Sequence, residues 1–334
     1  MPILTGKREL LARALGHRLL RPLGRALAPP GLIVLTYHRV SDYVTLDDGV
    51  VSASVEEFEW QLSFVKKSIR VLSGEEILRL VSGDLHLTEP ALCITCDDGY
   101  TDNLDAGRAL HRHGLPAIFF VTSGFIGTDN ITHWDRMAYA SKFTEVQTLN
   151  MPALGKRGPW KIPITPRDLA MRELRNIYFE LAPELQEAFV HSVEVAAKVA
   201  AKEESRPSFM GWEDVRTLHS LGHMIGAHTH THPIMAKISV EEQTRELTLC
   251  RDLIAKEIGS PPRILAYPNG KTWTFSAQTK DVARECGFLA AFSFYGGRNP
   301  PVGFDAYDLR RGWVSRSESR ELFRARISFP QFLA

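Results

Sequence analysis

Two carboxylates stand side by side in Thr95-Cys96-Asp97-Asp98-Gly99, directly after the apolar run 91–94. Like charges this close raise one pKa unless a cation compensates, so the pair points to a metal ion or to acid-base work. The plainer alternative is an Asp N-cap followed by a turn glycine. A second group, Gly226-Ala227-His228-Thr229-His230-Thr231-His232-Pro233, also follows a short apolar run. Histidines so closely spaced are unusual in a packed core, and neutral imidazole is the commonest metal ligand. A helical turn would bring His228 and His232 onto one ion, whereas an extended chain would put 228, 230 and 232 on one face. A third candidate is His38, at the end of the apolar run 32–36 in Leu35-Thr36-Tyr37-His38.

These groups can act together only if the fold gathers them. From Gly31 onward, short β-like runs at 32–36, 91–96, 116–121, 224–227, 263–267, 288–294 and, weakly, 309–314 alternate with helical stretches. The boxes Ser54-Val55-Glu56-Glu57, Ser73-Gly74-Glu75-Glu76 and Ser239-Val240-Glu241-Glu242 read as helix starts, and Gly114, Gly222, Gly259 and Gly287 as stops. Alternation of this kind implies parallel strands joined by crossover helices, buried on both faces in a barrel or a doubly wound sheet. In a barrel, His38, Asp97, Asp98, His228, His232 and the loop Tyr267-Pro268-Asn269-Gly270 would all meet at the C-terminal face. The stretch 125–207 breaks the rhythm: it shows helical patterns at 166–181 and 183–202 and no convincing strand, and reads as a helical insertion of the kind that shapes specificity.

Composition bounds the rest. The 334 residues carry 40 Lys+Arg against 39 Asp+Glu, and a net charge of +1 argues against a nucleic-acid partner. No apolar run approaches the roughly 18 residues that span a bilayer. Basic residues from Lys7 to Arg25 interrupt the start of the chain, so a signal peptide is not expected and a cytoplasmic location is. Residues 1–30 form a segment of their own before the main domain at 31–334: leucines at 11, 15, 19, 23 and 27 and basic residues at 13, 17, 21 and 25 make a basic amphipathic helix. It can lie at the inner membrane face or pack on the domain. Cys93 and Cys96 spell C-x-x-C inside a predicted strand, a poor context for redox chemistry.

In order and context the motifs resemble those of the polysaccharide deacetylases, the NodB-homology domain of carbohydrate esterase family 4, over about residues 31–314. Thr95–Gly99 is similar to the family's Thr-Phe-Asp-Asp-Gly with Cys96 for Phe, and His228–His232 to its His-Ser/Thr-x-x-His. The resemblance implies a distorted (β/α)7 TIM-like barrel, Asp97 as general base, and Asp98, His228 and His232 as metal ligands. The family's late Leu-x-His is absent after His232; in the rearranged poly-N-acetylglucosamine deacetylases an early Tyr-His supplies the general acid, which implies His38. Ala266 stands where the base-orienting arginine would be, so Arg310 or Arg311, or a different hydrogen bond, must hold Asp97.

The reaction so implied is hydrolysis of an N-acetyl group on a sugar in a polysaccharide, lipid-linked oligosaccharide or glycoconjugate precursor. A divalent ion would lower the pKa of water and polarise the amide, with Asp97 taking the proton, a backbone N–H near Asn269 supporting the oxyanion and His38 protonating the amine. Nitrogen and oxygen ligands suit Zn²⁺ and leave Co²⁺, Ni²⁺ and Fe²⁺ open. Tyr37, Tyr267, Asn269, Trp134, Trp212 and Arg310 are the expected substrate contacts, the tryptophans as sugar platforms. The competing functions are an inactive glycan-binding module of the same fold and a metal-dependent amidase on a small non-sugar amide.

Overall fold

The computed structural model describes residues 28–42, 47–201 and 209–329, so the amphipathic segment expected at 1–30 falls outside them except for 28–30. The chain divides into two compact units, one of Met1–Asp42, Val51–Gly127 and Met210–Ala334, the other of Tyr43–Val50 and Thr128–Phe209.

The first unit begins with β1 (Gly31–Tyr37), β2 (Arg39–Val40), β3 (Val51–Ala53), α1 (Val55–Ser68), β4 (Arg70–Val71), α2 (Gly74–Ser82), β5 (Pro90–Cys96), α3 (Asp102–His113) and β6 (Ile118–Val121). The second unit contributes α4 (His133–Phe143), β7 (Thr148–Met151), β8 (Trp160–Pro163), α5 (Arg167–Glu180) and α6 (Pro183–Ala197). The first unit resumes with α7 (Trp212–Ser220), β9 (Met224–Ala227), α8 (Val240–Ile258), β10 (Ile264–Ala266), α9 (Ala277–Glu285), β11 (Ala290–Phe292), β12 (Gly312–Trp313) and α10 (Arg320–Ser328).

Strands β11-β10-β9-β6-β5-β1-β12 lie side by side, all parallel, and form a distorted (β/α)7 barrel. Strand β4 occupies the lower half of the β5 edge that β6 occupies above. The ends of the sheet are joined by a single stretch of chain. Leu309 exchanges backbone hydrogen bonds with Ala291 and Ser293 beside β11, and Gly312 and Trp313 then pair with Leu35 and Thr36 of β1.

Side chains alternate along the strands as a pleat requires. Leu32, Val34, Ala91, Cys93, Ile118, Phe120, Ile264, Ala266, Ala290 and Phe292 pack together inside the barrel. Their neighbours Ile33, Leu35, Tyr37, Leu92, Ile94, Cys96, Phe119, Tyr267 and Ala291 pack outward with helical residues such as Phe58, Leu110 and Leu247. Cys93 and Cys96 therefore lie on opposite sides of the sheet as buried free thiols whose pKa values burial raises, that of Cys93 to about 12, which suits inert packing. Ser73 and Ser239 form complete capping boxes, and the Ser54 hydroxyl accepts a hydrogen bond from the Glu57 N–H.

The insertion differs from the expectation of helices alone. β7 and β8 form an antiparallel hairpin, and α4 precedes it. The hairpin was hard to read because only Leu149, Met151 and Ile162 of its strands are buried, in a core shared with Leu174, Phe189 and Val193 of the helices.

Candidate active site

Strand β5 is tied to β1 up to the first carboxylate. The Thr95 hydroxyl donates to the Leu35 carbonyl at 3.1 Å, and the Asp97 N–H donates to the Tyr37 carbonyl at 2.9 Å. The chain then turns through two left-handed residues, Asp98 at φ 75° and Gly99 at φ 89°, where a Cβ on Gly99 would sit 2.7 Å from Ile126 Cδ1. This reversal lets two adjacent carboxylates, both buried, serve different partners.

Asp97 is gripped by Arg311. The guanidinium donates from Nη1 to Oδ1 at 2.7 Å and from Nη2 to Oδ2 at 2.8 Å, while Nε donates to the Ser293 carbonyl at 3.0 Å. Arg311 is fully buried among Phe120, Phe292 and Phe294, whose ring centroids lie 5.3, 5.8 and 5.5 Å from its Cζ. A buried charge needs a partner, and a two-pronged pair fixes the carboxylate plane as well as its charge. Of the two arginines considered for this role, Arg310 is exposed with its Cζ 5.5 Å from the Tyr295 ring, and Arg311 makes the contact.

Asp98 faces histidines instead. Its Oδ1 lies 3.4 Å from His228 Nε2 and 3.5 Å from His232 Nε2 and, although buried, has no hydrogen-bond partner among the described residues. Bond lengths of about 2.0–2.2 Å around a tetrahedral ion imply ligand-to-ligand distances of about 3.4 Å, which both Asp98–histidine distances match, and all three ligand atoms lie within 4.8 Å of one another. The ring of His228 is fixed by its Nδ1, which donates to the Ala266 carbonyl at 2.8 Å and leaves Nε2 as the ligating atom. The electrostatics agree. Burial would raise the Asp98 carboxyl, but the adjacent imidazoles of His228, His38 and His232 hold it well below the usual carboxylate range. Burial pushes His232 down to about 4; at His228 burial opposes protonation, but Asp98 and Asp97 outweigh it and raise the pKa.

The histidine loop is neither helical nor extended. Thr229 at φ 64° and His232 at φ 63° fold it so that His228 and His232 converge, while His230 turns away to Ser123 Oγ at 2.9 Å. Glu246 of α8 clamps the bend, accepting from the N–H groups of His230 and Thr231 at 2.8 and 2.7 Å and from the Thr231 hydroxyl at 2.8 Å. Among the described residues, the non-glycine positions with positive φ are Asp98, Thr229, His232, Asn269 and the helix cap Lys198. Such backbone costs about 1–3 kcal/mol each, and its concentration here marks a functional constellation.

His38 follows β1 with the inward parity of Thr36, its N–H held by Ser52 Oγ at 2.9 Å and its carbonyl by Asn103. Asn269 sits half-buried in the loop after β10, beside Gly270, where a Cβ would be 2.5 Å from the Phe294 nitrogen. Of the other expected substrate contacts, two are closed to a ligand by burial. Tyr37 has outward parity and donates to Gln61 Oε1 at 2.8 Å under α1; Tyr267, also outward, stacks on Phe275 with centroids 4.5 Å apart. Both are at most 1% exposed, which leaves no face for a ligand. Trp134 belongs to the second unit, is 8% exposed and sets an edge against His133. Trp212 opens α7 and packs on the outer core; the neighbouring Met210 donates its N–H to the Gly99 carbonyl at 2.9 Å. Sequence reasoning missed Glu246. A glutamate on an amphipathic helix gives no sign of capping a distant loop.

The sequence model of the family described as polysaccharide deacetylase matches residues 168–291, a span that holds the histidine loop and leaves Asp97 and Asp98 outside. The fold is similar to that of IcaB from Ammonifex degensii, at 19% identity and a TM-score of 0.59 over 90% of this chain and 98% of that one. It is likewise similar to a Streptococcus pyogenes deacetylase, PplD, at 16% identity and TM-score 0.58 over 92% and 100% of the two chains. A de-N-acetylase from Aggregatibacter actinomycetemcomitans aligns at 17% identity and TM-score 0.55 over 88% and 98%. By sequence model and by fold, the chain resembles the polysaccharide deacetylases. Comparison with curated proteins found no match.

Two outcomes follow from the geometry. Arg311→Met leaves Asp97 buried without a counter-charge and should cost about 3–5 kcal/mol in urea unfolding. Asp97→Asn/Arg311→Met should lose clearly less than the two single losses added together, and strict additivity would contradict the pair. Because Asp98 and Asp97 outweigh burial and raise the His228 pKa, a divalent ion must compete with a proton for this ring. Apparent metal affinity should therefore be weaker at about pH 6 than at about pH 8 in competition titrations, and equal affinity at both would contradict this.

Proposed function

We propose that this protein is a metal-dependent carbohydrate deacetylase that removes the acetyl group from an N-acetylated sugar of a polysaccharide, lipid-linked oligosaccharide or glycoconjugate precursor. The observation that carries the reading is the division of labour between adjacent carboxylates: Asp97 is held as an oriented anion by Arg311, and Asp98 joins His228 and His232 in a three-ligand cluster beside it.

Asp98, His228 and His232 would hold the ion. Zn²⁺ suits these donors, which Co²⁺, Ni²⁺ and Fe²⁺ can share. When bound, a divalent ion supplies Lewis acidity toward the amide carbonyl and makes water more acidic. Asp97 then acts as general base. Both of its oxygens are oriented by Arg311, so the attacking water loses its proton to a carboxylate that cannot rotate away. In the Tyr267–Gly270 loop the N–H groups of Tyr267 and Gly270 donate to the Phe292 and Pro268 carbonyls, and the Asn269 N–H would support the oxygen that gains charge. His38 returns a proton to the sugar nitrogen as the C–N bond breaks, giving acetate and a free amine. The absent late Leu-x-His and Ala266 motivate the alternative of an inactive glycan-binding module; Arg311, which grips Asp97 where residue 266 cannot, favours the enzyme.

Metal-loaded protein should release acetate from at least one member of a panel of N-acetylated glycans. Release should fall about 10³-fold in Asp97→Asn and vanish on chelation. Stoichiometric metal with no release from any glycan would refute the reading in favour of a small-amide hydrolase or a binding module.

A further inference from the structure

The turn after the Tyr267–Gly270 loop carries a cation that the deacetylation scheme does not use. Lys271 is half-buried, with its Nζ 5.4 Å from the centroid of Phe294 and 5.2 Å from that of Trp313; the two rings meet edge to face at 6.2 Å. Phe294 is also the ring beside His38, at 5.6 Å between centroids, and beside Arg311. Lys271, His38 and Arg311 therefore all border one ring, that of Phe294.

Several other half-buried or buried cations are held by carboxylates or, for Arg298, by the Pro29 and Pro30 carbonyls. Arg311 faces Asp97, Lys280 faces Asp305 and Asp308, Arg136 faces Glu187 and Glu194, and Arg326 faces Glu318. Lys271 has no carboxylate within ion-pair distance among the described residues, and burial alone lowers its pKa. Ring faces satisfy part of the charge but leave the ammonium's strong donors for something else. The position is also fixed. Thr274 donates to the Lys271 carbonyl through both its N–H and its hydroxyl, each at 2.8 Å, and only glycine fits at Gly270.

We propose that Lys271, on the Phe294 and Trp313 faces, is a specificity residue that receives an oxyanion, carboxylate or phosphate, carried by the glycan close to the acetamido group being hydrolysed. This rests on the deacetylase reading and narrows its substrate to an anionic glycan. A single ammonium acts as a point charge and accepts either group.

Steady-state kinetics of the metal-loaded full chain on three matched N-acetylglucosamine oligosaccharides test it: one neutral, one with a uronic acid carboxylate, one with a phosphomonoester. The KM for at least one charged compound should be about tenfold or more below that for the neutral one, since hydrogen bonds to charged groups are among the strong ones. The advantage should shrink with added salt, disappear in Lys271→Gln and largely persist in Lys271→Arg. Whichever charged compound shows it identifies the group. Equal KM for all three compounds in the unaltered protein, or an equal loss on all three in Lys271→Gln, would overturn the proposal. Calorimetric binding of the same compounds to the metal-loaded protein separates the two claims. A Lys271-dependent preference in binding without turnover sustains the anion site and refutes the deacetylase, whereas turnover of the neutral compound with no charge preference does the reverse.

Discussion

The Asp97–Arg311 pair is the constraint on which the rest of the site depends. It joins the middle of the sheet, at the end of β5, to the stretch of chain that bridges the two sheet ends, and it does so inside the barrel where neither charge could exist alone. Arg311 is further anchored to Ser293 after β11, and its neighbours Gly312 and Trp313 pair with β1. One side chain therefore ties barrel closure to the orientation of Asp97. A fold that failed to close would also fail to aim Asp97.

Adjacent carboxylates can have different fates because the backbone inverts between them. Asp97 ends a regular strand and keeps its inward parity, whereas Asp98 enters the left-handed region and swings to the histidines. The histidine loop repeats the device with Thr229 and His232, and Glu246 satisfies the N–H groups that the bend leaves without strand partners. Strained backbone, an uncompensated carboxylate oxygen and a clamped loop are each costly alone. Together they make sense as preorganisation around a cation, which relieves the carboxylate and uses the geometry.

Much of this was legible in the sequence. Buried parallel strands read as unbroken apolar runs, helix starts as capping boxes, and chemically expensive residues stood out because Asp-Asp and His-x-His-x-His have no cheap place in a core. What stayed hidden depended on long-range geometry. The choice between Arg310 and Arg311 turns on a single residue of register just ahead of β12, a strand of two residues too short to show a pattern. Tyr37 and Tyr267 looked like substrate contacts because they border the motifs, yet strand parity sends each to the helix side. The β7–β8 hairpin lies in a small core whose buried positions alternate with exposed polar ones only briefly. Lys271 carries no motif at all; its interest comes from two rings, Phe294 just after β11 and Trp313 in β12.

The central claim is that Asp98, His228 and His232 ligate one divalent ion while Asp97 stays with Arg311. A crystal structure of protein grown with Zn²⁺ or Co²⁺, with anomalous data collected at the metal edge, tests it most directly. The account predicts a single strong peak about 2.0–2.2 Å from Asp98 Oδ1 and the Nε2 atoms of both histidines, with the Asp97–Arg311 pair intact. A peak ligated by Asp97, or no peak between the two histidines at saturating metal, would contradict it.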